Sequence, residues 1–324
     1  LHARARAQVG RPVSGPSPTG PHSLAIARGR AYDLLGGLFR RGPLRIEHLR
    51  QVAALKEFVP NVVTDDVLAE HYRVLVQEVP PFESVFLEPM ALLGGVCSSD
   101  VRTHMAQGGF TPDDSDAEPD HIGTELAYLA HLCGAEADAW HDGLEGVARR
   151  LQALQREFLA LHLMRWLPAL VVALGQVDTG LYVHAGRLVL TMAADHLGEG
   201  LPEDDLPELE DILSKERTGL RQVGDFIAVP RNLGALPTPQ WIRSVGRGAG
   251  AASGFGKRGM LFENLLQTAV RQGRLGALMA ELDTALEALQ DESAALPGGA
   301  RWARRVGESR QMLARMEAAR VAAG

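Results

Sequence analysis

The chain has 324 residues, of which 46% are apolar and 23% are charged, and its formal net charge is −7. This composition is ordinary for a soluble globular protein that buries a substantial core. The negative charge argues against nucleic acid as the ligand, because phosphate binding needs a basic surface. Aromatic residues make up only 5% of the chain, which favours helices over sheets.

The charge is unevenly distributed along the chain. Residues 1–23 carry three arginines, residues 24–200 carry 24 acidic against 14 basic residues, and residues 201–324 carry 16 of each. The acidic central segment suits a cationic partner. Acidity also serves solubility alone, and both interpretations remain open at this stage.

Three features of the sequence predict a cytoplasmic location. Residues 1–23 are rich in proline, glycine and serine and lack the apolar stretch of a secretory signal, so we predict a disordered tail. Cys97 and Cys133 lie among apolar residues and cannot form a disulfide framework, which favours a reducing, cytoplasmic location. The apolar run 158–175 is interrupted by His162, Arg165 and Pro168, so we expect no stable membrane insertion.

The predicted fold class is all-α, a helical bundle, because no run of alternating polar and apolar residues indicates a strand. In chain order, we predict helices over 24–41, 44–58, 65–79, 98–107, from 122 onwards, and over 135–162, 164–175 and 179–197. Further helices, richer in glycine and arginine, are predicted over 203–216, 238–246, 259–272, 274–292 and 300–321. We place a boundary near 198–202, between a bundle over 24–200 and a helical C-terminal extension over 201–324.

The segment EPDHIGTELAYLAHL, from Glu118 to Leu132, combines a helix start with an unexplained histidine. From Ile122 onwards, apolar residues recur at helical spacing and define a buried face. Proline and acidic residues in front of them are typical of a helix start. Capping leaves His121 without a role. His121 and Glu125 lie one turn apart, but no further ligand has suitable spacing, so we predict no metal site.

A glycine-rich stretch, GRGAGAASGFGKRG over 246–259, matches a nucleotide-binding pattern only superficially. Gly254, Gly256 and Gly259 fit GxGxxG, but no apolar strand precedes them, and that strand gives the pattern its meaning. We interpret the stretch as a flexible basic loop. The alternative function that it supports is an all-helical nucleotide-binding protein or enzyme.

The run FLALHLMRWLP places His162 and Trp166 on one helical face. A tryptophan beside a proline commonly fills a corner of the core. The alternative is an aromatic side chain that lines a peptide groove.

Four passages, in order, resemble the TorD/DmsD family of redox-enzyme maturation chaperones. RAYDLLGGLF (30–39) is similar to the family's first helix, and PPFESVFLE (80–88) is similar to its loop with proline, an aromatic residue and Ser-Val. EPDHIGTELAYLAHL is similar to the signature helix with Pro-Asp-His. FLALHLMRWLPAL (158–170) is similar to the His-Leu-x-x-Trp helix, with LYVHAGRLVLTMA (181–193) after it.

The resemblance implies a TorD-like bundle that has no catalysis of its own and works in the cytoplasm. Such chaperones bind the twin-arginine signal peptide of an apo-molybdopterin oxidoreductase subunit and delay its export until the molybdopterin cofactor is inserted. The resemblance also implies that this chain is a monomer or dimer, and it leaves guanine nucleotide as a ligand that only the family suggests. Position by position, the implied peptide-binding residues are Pro81, Phe82, Ser84, Pro119, Asp120, His121 and Trp166.

Overall fold

The computed structural model describes residues 20–112, 118–178, 180–201, 206–212 and 219–323. Within these ranges the fold is all-α, as predicted, and strand-like pairing is limited to one isolated antiparallel bridge between Phe82 and His121. Positions 1–19 of the predicted tail lie outside the described residues. Its last positions, 21–23, belong to the first helix.

The helices of the N-terminal body largely follow the predicted order. They are α1 (Pro21–Arg41), α2 (Ile46–Gln51), α3 (Asp65–Tyr72), α4 (Glu83–Leu87), α5 (Gly95–Gln107), α6 (Ile122–His141), α7 (Glu145–Phe158), α8 (Met164–Gly175) and α9 (Leu181–Leu197). Two π-helical segments, Arg73–Glu78 and Leu159–Leu163, continue α3 and join α7 to α8. The prediction of one helix over 135–162 was wrong, because α6 ends at His141 and Gly143 follows with a φ of 71°. The short α4 was not predicted.

The C-terminal extension is helical too. Its helices are α10 (Leu220–Ile227), α11 (Pro230–Leu233), α12 (Pro239–Ala249), α13 (Arg258–Arg271), α14 (Leu275–Ala294) and α15 (Ala300–Ala323). The helix predicted over 203–216 is not present in its described part, 206–212, and the rest of it lies outside the described residues. Neither α10 nor α11 was predicted.

Helices α1 and α6 form the most extensive helix pair in the described structure. The predicted apolar face of α6 is confirmed, since Ile122, Leu126 and Leu129 are fully buried. Gly36 of α1 permits the close approach, because a Cβ there would lie 3.0 Å from the Gly123 carbonyl oxygen. The pair fixes the start of α6 in the middle of the body.

Two clusters of buried apolar residues make up the core. One occupies the N-terminal body and the other occupies the extension. The clusters interlock, because Leu236 and Trp302 of the extension belong to the first and Val172 of the body belongs to the second. The boundary near 198–202 stays a prediction from the sequence. In the structure, the body and the extension pack together through these shared core residues.

The helical stretch that contains the apolar run is longer than the sequence analysis predicted. The continuous helical stretch Glu145–Gly175 is long and apolar enough, by length and composition, to cross a membrane, with a mean hydropathy of 1.7 in its most apolar window. Interruption by His162, Arg165 and Pro168 therefore does not make this stretch too short or too polar to span a membrane. However, 78% of that window is buried inside the fold, as in the core helix of a soluble protein.

Candidate functional site

Two of the resemblance-derived segments meet in the structure through backbone hydrogen bonds. The Ile122 amide donates to the Pro81 carbonyl oxygen and the Glu83 amide donates to the Asp120 carbonyl oxygen, each at 2.9 Å. This pairing forms the isolated bridge between Phe82 and His121. Residues about forty positions apart along the sequence are thereby held side by side. We call this pairing the bridge junction.

The Phe82 and His121 side chains form the accessible part of the bridge junction. Their rings pack edge to face with centroids 4.9 Å apart, and both side chains are half-buried. The pair therefore presents an aromatic surface at the start of α6. We call it the Phe82–His121 surface.

His121 is the N-cap of α6, which corrects the expectation that capping leaves it without a role. Its Nδ1 accepts a hydrogen bond from the Gly123 amide at 3.0 Å. Burial lowers the pKa of His121 to about 4, with further lowering by Arg40 and His71. The ring is therefore neutral at pH 7, and its Nδ1 is free to accept the capping bond.

Asp120 and Ser84 lie beneath this surface, and both are fully buried. The Asp120 Oδ2 accepts a hydrogen bond from the Ser84 amide at 3.0 Å, and the Ser84 Oγ accepts one from the Gly94 amide at 3.2 Å. The Asp120 Oδ1 has no hydrogen-bond partner among the described residues. In this conformation Asp120 organises the start of α4 instead of facing solvent.

Trp166 lies apart from the Phe82–His121 surface. Its side chain is fully buried and packs against Phe86, with ring centroids 5.3 Å apart. The structure therefore favours the core-filling interpretation of this tryptophan over the groove-lining one. Pro81 and Pro119 are buried as well, so only Phe82 and His121 of the seven implied residues are partly accessible.

The sequence did not predict a buried polar cluster at α4, which consists of Glu83, His104, Glu125 and His162. The His162 Nδ1 lies 3.1 Å from Glu83 Oε2, and the His162 Nε2 lies 2.9 Å from the Nδ1 of the half-buried His104. Glu125 is fully buried, and both of its carboxyl oxygens lack a hydrogen bond among the described residues. The signal in the sequence was an acidic residue inside an otherwise apolar stretch, once in PFESVFL and once in IGTELAYL.

Burial controls the ionisation of the two glutamates. It raises the pKa of Glu125 well above its usual range, and the nearby Glu83 and Asp120 carboxylates raise it further. Burial also raises the pKa of Glu83, although the bond to His162 partly offsets that effect. The Trp166 indole lies beside the Glu125 carboxyl without forming a well-aligned hydrogen bond. A neutral Glu125 is the form that this apolar site tolerates.

A pocket of about 280 Å³ opens between the 43–60 segment, α3 and α9. Its walls include the apolar or aromatic side chains Phe58, Leu181 and Tyr182, and three carboxylates, Asp66, Glu70 and Asp178, lie around it. Glu70 pairs with Arg73, and Asp178 caps the start of α9 by accepting from the Tyr182 amide at 2.7 Å. We call this the acid-rimmed pocket. An amphipathic cation is the ligand class that fits such a lining.

His71 connects the acid-rimmed pocket to the bridge junction. Its Nδ1 lies 2.9 Å from the Tyr182 hydroxyl in the pocket wall, and it is close enough to His121 to lower the pKa of that residue. Burial lowers the pKa of His71 itself. His71 thus borders the pocket and acts electrostatically on His121 of the Phe82–His121 surface.

The glycine-rich stretch 246–259 does not form a phosphate-binding loop after a strand. Its first residues belong to α12, its last two begin α13, and the chain between them is a loop in which Phe255 is 89% exposed. No strand precedes it in the described part of the chain. No specific contact favours the nucleotide-binding alternative.

Part of the chain is similar to known proteins. Residues 46–172 match the family model described as Nitrate reductase delta subunit. A chaperone protein TorD of Vibrio cholerae serotype O1 is 35% identical over 112 residues, which are 34% of this chain and 49% of that protein. The chain thus aligns with about half the length of this relative. No solved structure matches.

Two further relatives carry names of a related kind. A selenate reductase assembly chaperone protein of Thauera selenatis is 36% identical over 94 residues, which are 28% of this chain and 47% of that protein. A chlorate reductase assembly chaperone protein of Ideonella dechloratans is 48% identical over 50 residues, which are 15% of this chain and 25% of that protein. The matches confirm the resemblance inferred from the sequence motifs.

Replacing His121 by alanine should lower the free energy of unfolding by about 0.5–2 kcal/mol, because the α6 N-cap is lost. His121→Asn should retain most of the stability, because asparagine is a strong N-cap.

Since the pKa of His121 falls from 6.5 to about 4 on folding, wild-type stability should decline as the pH falls from 6.5 towards 4. Urea unfolding at pH 7 and pH 5 measures both effects. His48→Ala, at an exposed histidine, is the control; equal losses in both alanine variants would contradict the capping role.

Replacing Glu125 by glutamine should remove a loss of stability at high pH. When folding raises the pKa of a carboxyl, the protein has its full free energy of unfolding only below the pKa of that group in the unfolded chain, here 4.5. Above that value the free energy of unfolding falls, by up to about 1.4 kcal/mol per pH unit, until the pH passes the folded pKa.

Denaturant unfolding between pH 5 and pH 9 checks this expectation for Glu125. The wild type should lose stability faster than Glu125→Gln, and the exposed control Glu47→Gln should follow the wild type. Parallel profiles for wild type and Glu125→Gln would show that Glu125 is not held neutral.

Proposed function

We propose that this chain, whose residues 46–172 match the Nitrate reductase delta subunit family model, is a TorD-like maturation chaperone for a molybdopterin oxidoreductase. The proposed client is the apo form of the catalytic subunit, and the proposed ligand is its twin-arginine signal peptide. The observation that carries the proposal is the bridge junction, which brings the PPFES and PDH segments together at an accessible aromatic pair. The names of the relatives, which are assembly chaperones of reductases, support the same class of client.

The chemistry of the peptide agrees with the two neighbouring surfaces. A twin-arginine signal peptide offers two guanidinium groups followed by an apolar run. Guanidinium groups bind carboxylates in bidentate geometry and stack on aromatic rings. The acid-rimmed pocket offers carboxylates next to apolar walls, and the Phe82–His121 surface offers aromatic contact. We propose that the arginines bind near the pocket and that the apolar run lies along the aromatic surface.

The seven residues implied by the resemblance then divide into two roles. Phe82 and His121 contact the peptide directly, since they are the partly accessible members. Pro81, Ser84, Pro119, Asp120 and Trp166 are buried and hold those two in place. A carboxylate with one unpaired oxygen, such as Asp120, also gives an incoming guanidinium a partner if peptide binding opens the junction.

The proposal includes a cytoplasmic location and no catalysis by the chain itself. A chaperone that binds the signal peptide before export keeps the subunit in the compartment where its cofactor is inserted. The net charge of residues 24–200, with 24 acidic against 14 basic residues, favours encounter with a cationic peptide. Function therefore requires only selective binding and timely release.

A synthetic peptide with the twin-arginine motif and its apolar run should bind the full chain with micromolar or better affinity, measured by titration calorimetry. Raising the salt concentration should weaken binding, because part of it is electrostatic. A peptide with two lysines in place of the arginines should bind about tenfold more weakly, because lysine lacks the planar, bidentate donor group. Phe82→Ala should also weaken binding by about tenfold, as expected for an aromatic anchor.

Matched variants separate direct contact from folding. Phe255→Ala removes an exposed phenylalanine far along the chain in the glycine-rich loop and should bind the peptide as the wild type does. Asp120→Asn keeps an acceptor for the Ser84 amide while removing the charge, so weaker binding by this variant would assign Asp120 to the arginines. Failure of the wild type to bind, or equal binding of both peptides, would refute the proposed function.

A further inference from the structure

The C-terminal extension contacts α4, the helix that begins directly after Phe82 of the bridge junction. Helix α4 is only five residues long and directly follows Phe82. At its end, the Arg231 Nη1 of α11 donates a hydrogen bond to the Leu87 carbonyl oxygen at 3.2 Å. A cation at a helix C-terminus satisfies a free carbonyl group and opposes the negative end of the helix dipole. Arg231 therefore caps α4 from outside the N-terminal body.

The position of Arg231 is itself fixed within the extension. The Arg305 Nη1 of α15 donates to the Arg231 carbonyl oxygen at 2.6 Å, and the Arg305 Nη2 donates to the Pro207 carbonyl oxygen at 2.5 Å. Gly234 ends α11 with a φ of 90°, and a Cβ there would lie 2.4 Å from the Val306 amide nitrogen. Only glycine permits this approach of α11 to α15. The backbone of Arg231 is thus held by the buried Arg305 of α15.

The inner face of α4 also packs against the extension. Trp302 of α15 is fully buried, and its ring lies edge-on to Phe86 of α4 with centroids 6.4 Å apart. The Trp302 Nε1 donates to the Arg165 carbonyl oxygen at 3.0 Å, which anchors the indole to α8. The buried Phe86 ring therefore contacts both Trp166 of the body and Trp302 of the extension.

We infer that the C-terminal extension positions α4 and thereby sets the affinity of the Phe82–His121 surface for its peptide. Arg231 is a positioning residue that acts through the end of α4, and Trp302 is one that acts through its buried face. This inference rests on the proposed function, and it gives the extension a role that the motifs of residues 24–200 do not supply. A short helix has little stability of its own, so its placement depends on such outside contacts.

The test compares three variants of the full chain by peptide titration and thermal unfolding. Arg231→Ala should bind the twin-arginine peptide about three- to tenfold more weakly, the effect of losing one charge-assisted hydrogen bond. Arg231→Lys should recover most of that affinity. Arg187→Ala is the matched control, because it removes another contact between body and extension, the 3.4 Å pair with Glu292, away from α4. Arg231→Gln replaces the alanine variant if that variant does not fold.

A double-mutant cycle shows whether Arg231 acts through the surface. In a Phe82→Ala background, Arg231→Ala should cost clearly less affinity than in the wild type, because the residue that it positions is absent. Independent effects of the two changes would overturn the inference. Unchanged affinity of Arg231→Ala, or an equal loss in Arg187→Ala, would overturn it too.

Amide hydrogen exchange without peptide keeps the two proposals distinguishable. The amides of residues 83–88 should exchange faster in Arg231→Ala than in the wild type and in Arg187→Ala. If the wild type binds no peptide, the proposed function fails, and this exchange result alone decides whether the extension positions α4. Equal exchange in all three proteins would overturn the positioning role.

Discussion

The backbone pairing between residues 81–83 and 120–122 is the interaction on which the candidate site depends. Two hydrogen bonds of 2.9 Å join a proline-rich turn to the start of a long core helix. The Asp120 side chain reinforces the pairing by accepting from the Ser84 amide, and His121 completes it as the N-cap. Each of these bonds joins two members of the junction, and only the Asp120 Oδ1 among the oxygens of that carboxyl has no partner in the described residues. Neither segment could expose an aromatic pair in a fixed orientation without the other.

The ionisable groups of the site fall into a buried set and an acidic exterior. Burial raises the pKa of Glu125 and Glu83 and lowers that of His121, so all three shifts favour the uncharged form of these groups at and beneath the Phe82–His121 surface. In the acid-rimmed pocket Asp66 and Glu70 are exposed, so a cation can reach them, although Glu70 also pairs with Arg73. The interior chemistry stabilises the junction, and the exterior chemistry suits an arginine-bearing ligand. The extension adds a third element, since Arg231 and Trp302 contact α4 at its C-terminal end and at Phe86.

The sequence predicted what local patterns determine. The all-α class and the buried face of α6 follow from apolar periodicity, and both are confirmed. The five-residue α4 was missed because it is too short to show a helical period. Only the resemblance implied Trp166 as a peptide-binding residue, because spacing shows which residues share a face but not what covers that face; its side chain is fully buried. The capping role of His121 was missed because histidine is not among the favoured N-cap residues. The hydrogen bond of Arg231 to Leu87 joins positions 144 residues apart and that of Trp302 to Arg165 joins positions 137 apart, and no local pattern encodes them.

The central claim is that the bridge junction is the surface that reads the signal peptide. Hydrogen exchange of the full chain with and without a saturating twin-arginine peptide tests it most directly. The account predicts slower exchange in residues 80–88 and 118–125, and in the walls of the acid-rimmed pocket, with no change in the 246–259 loop. Protection confined to the 246–259 loop, or absent from both segments of the junction while the peptide is bound, would contradict it.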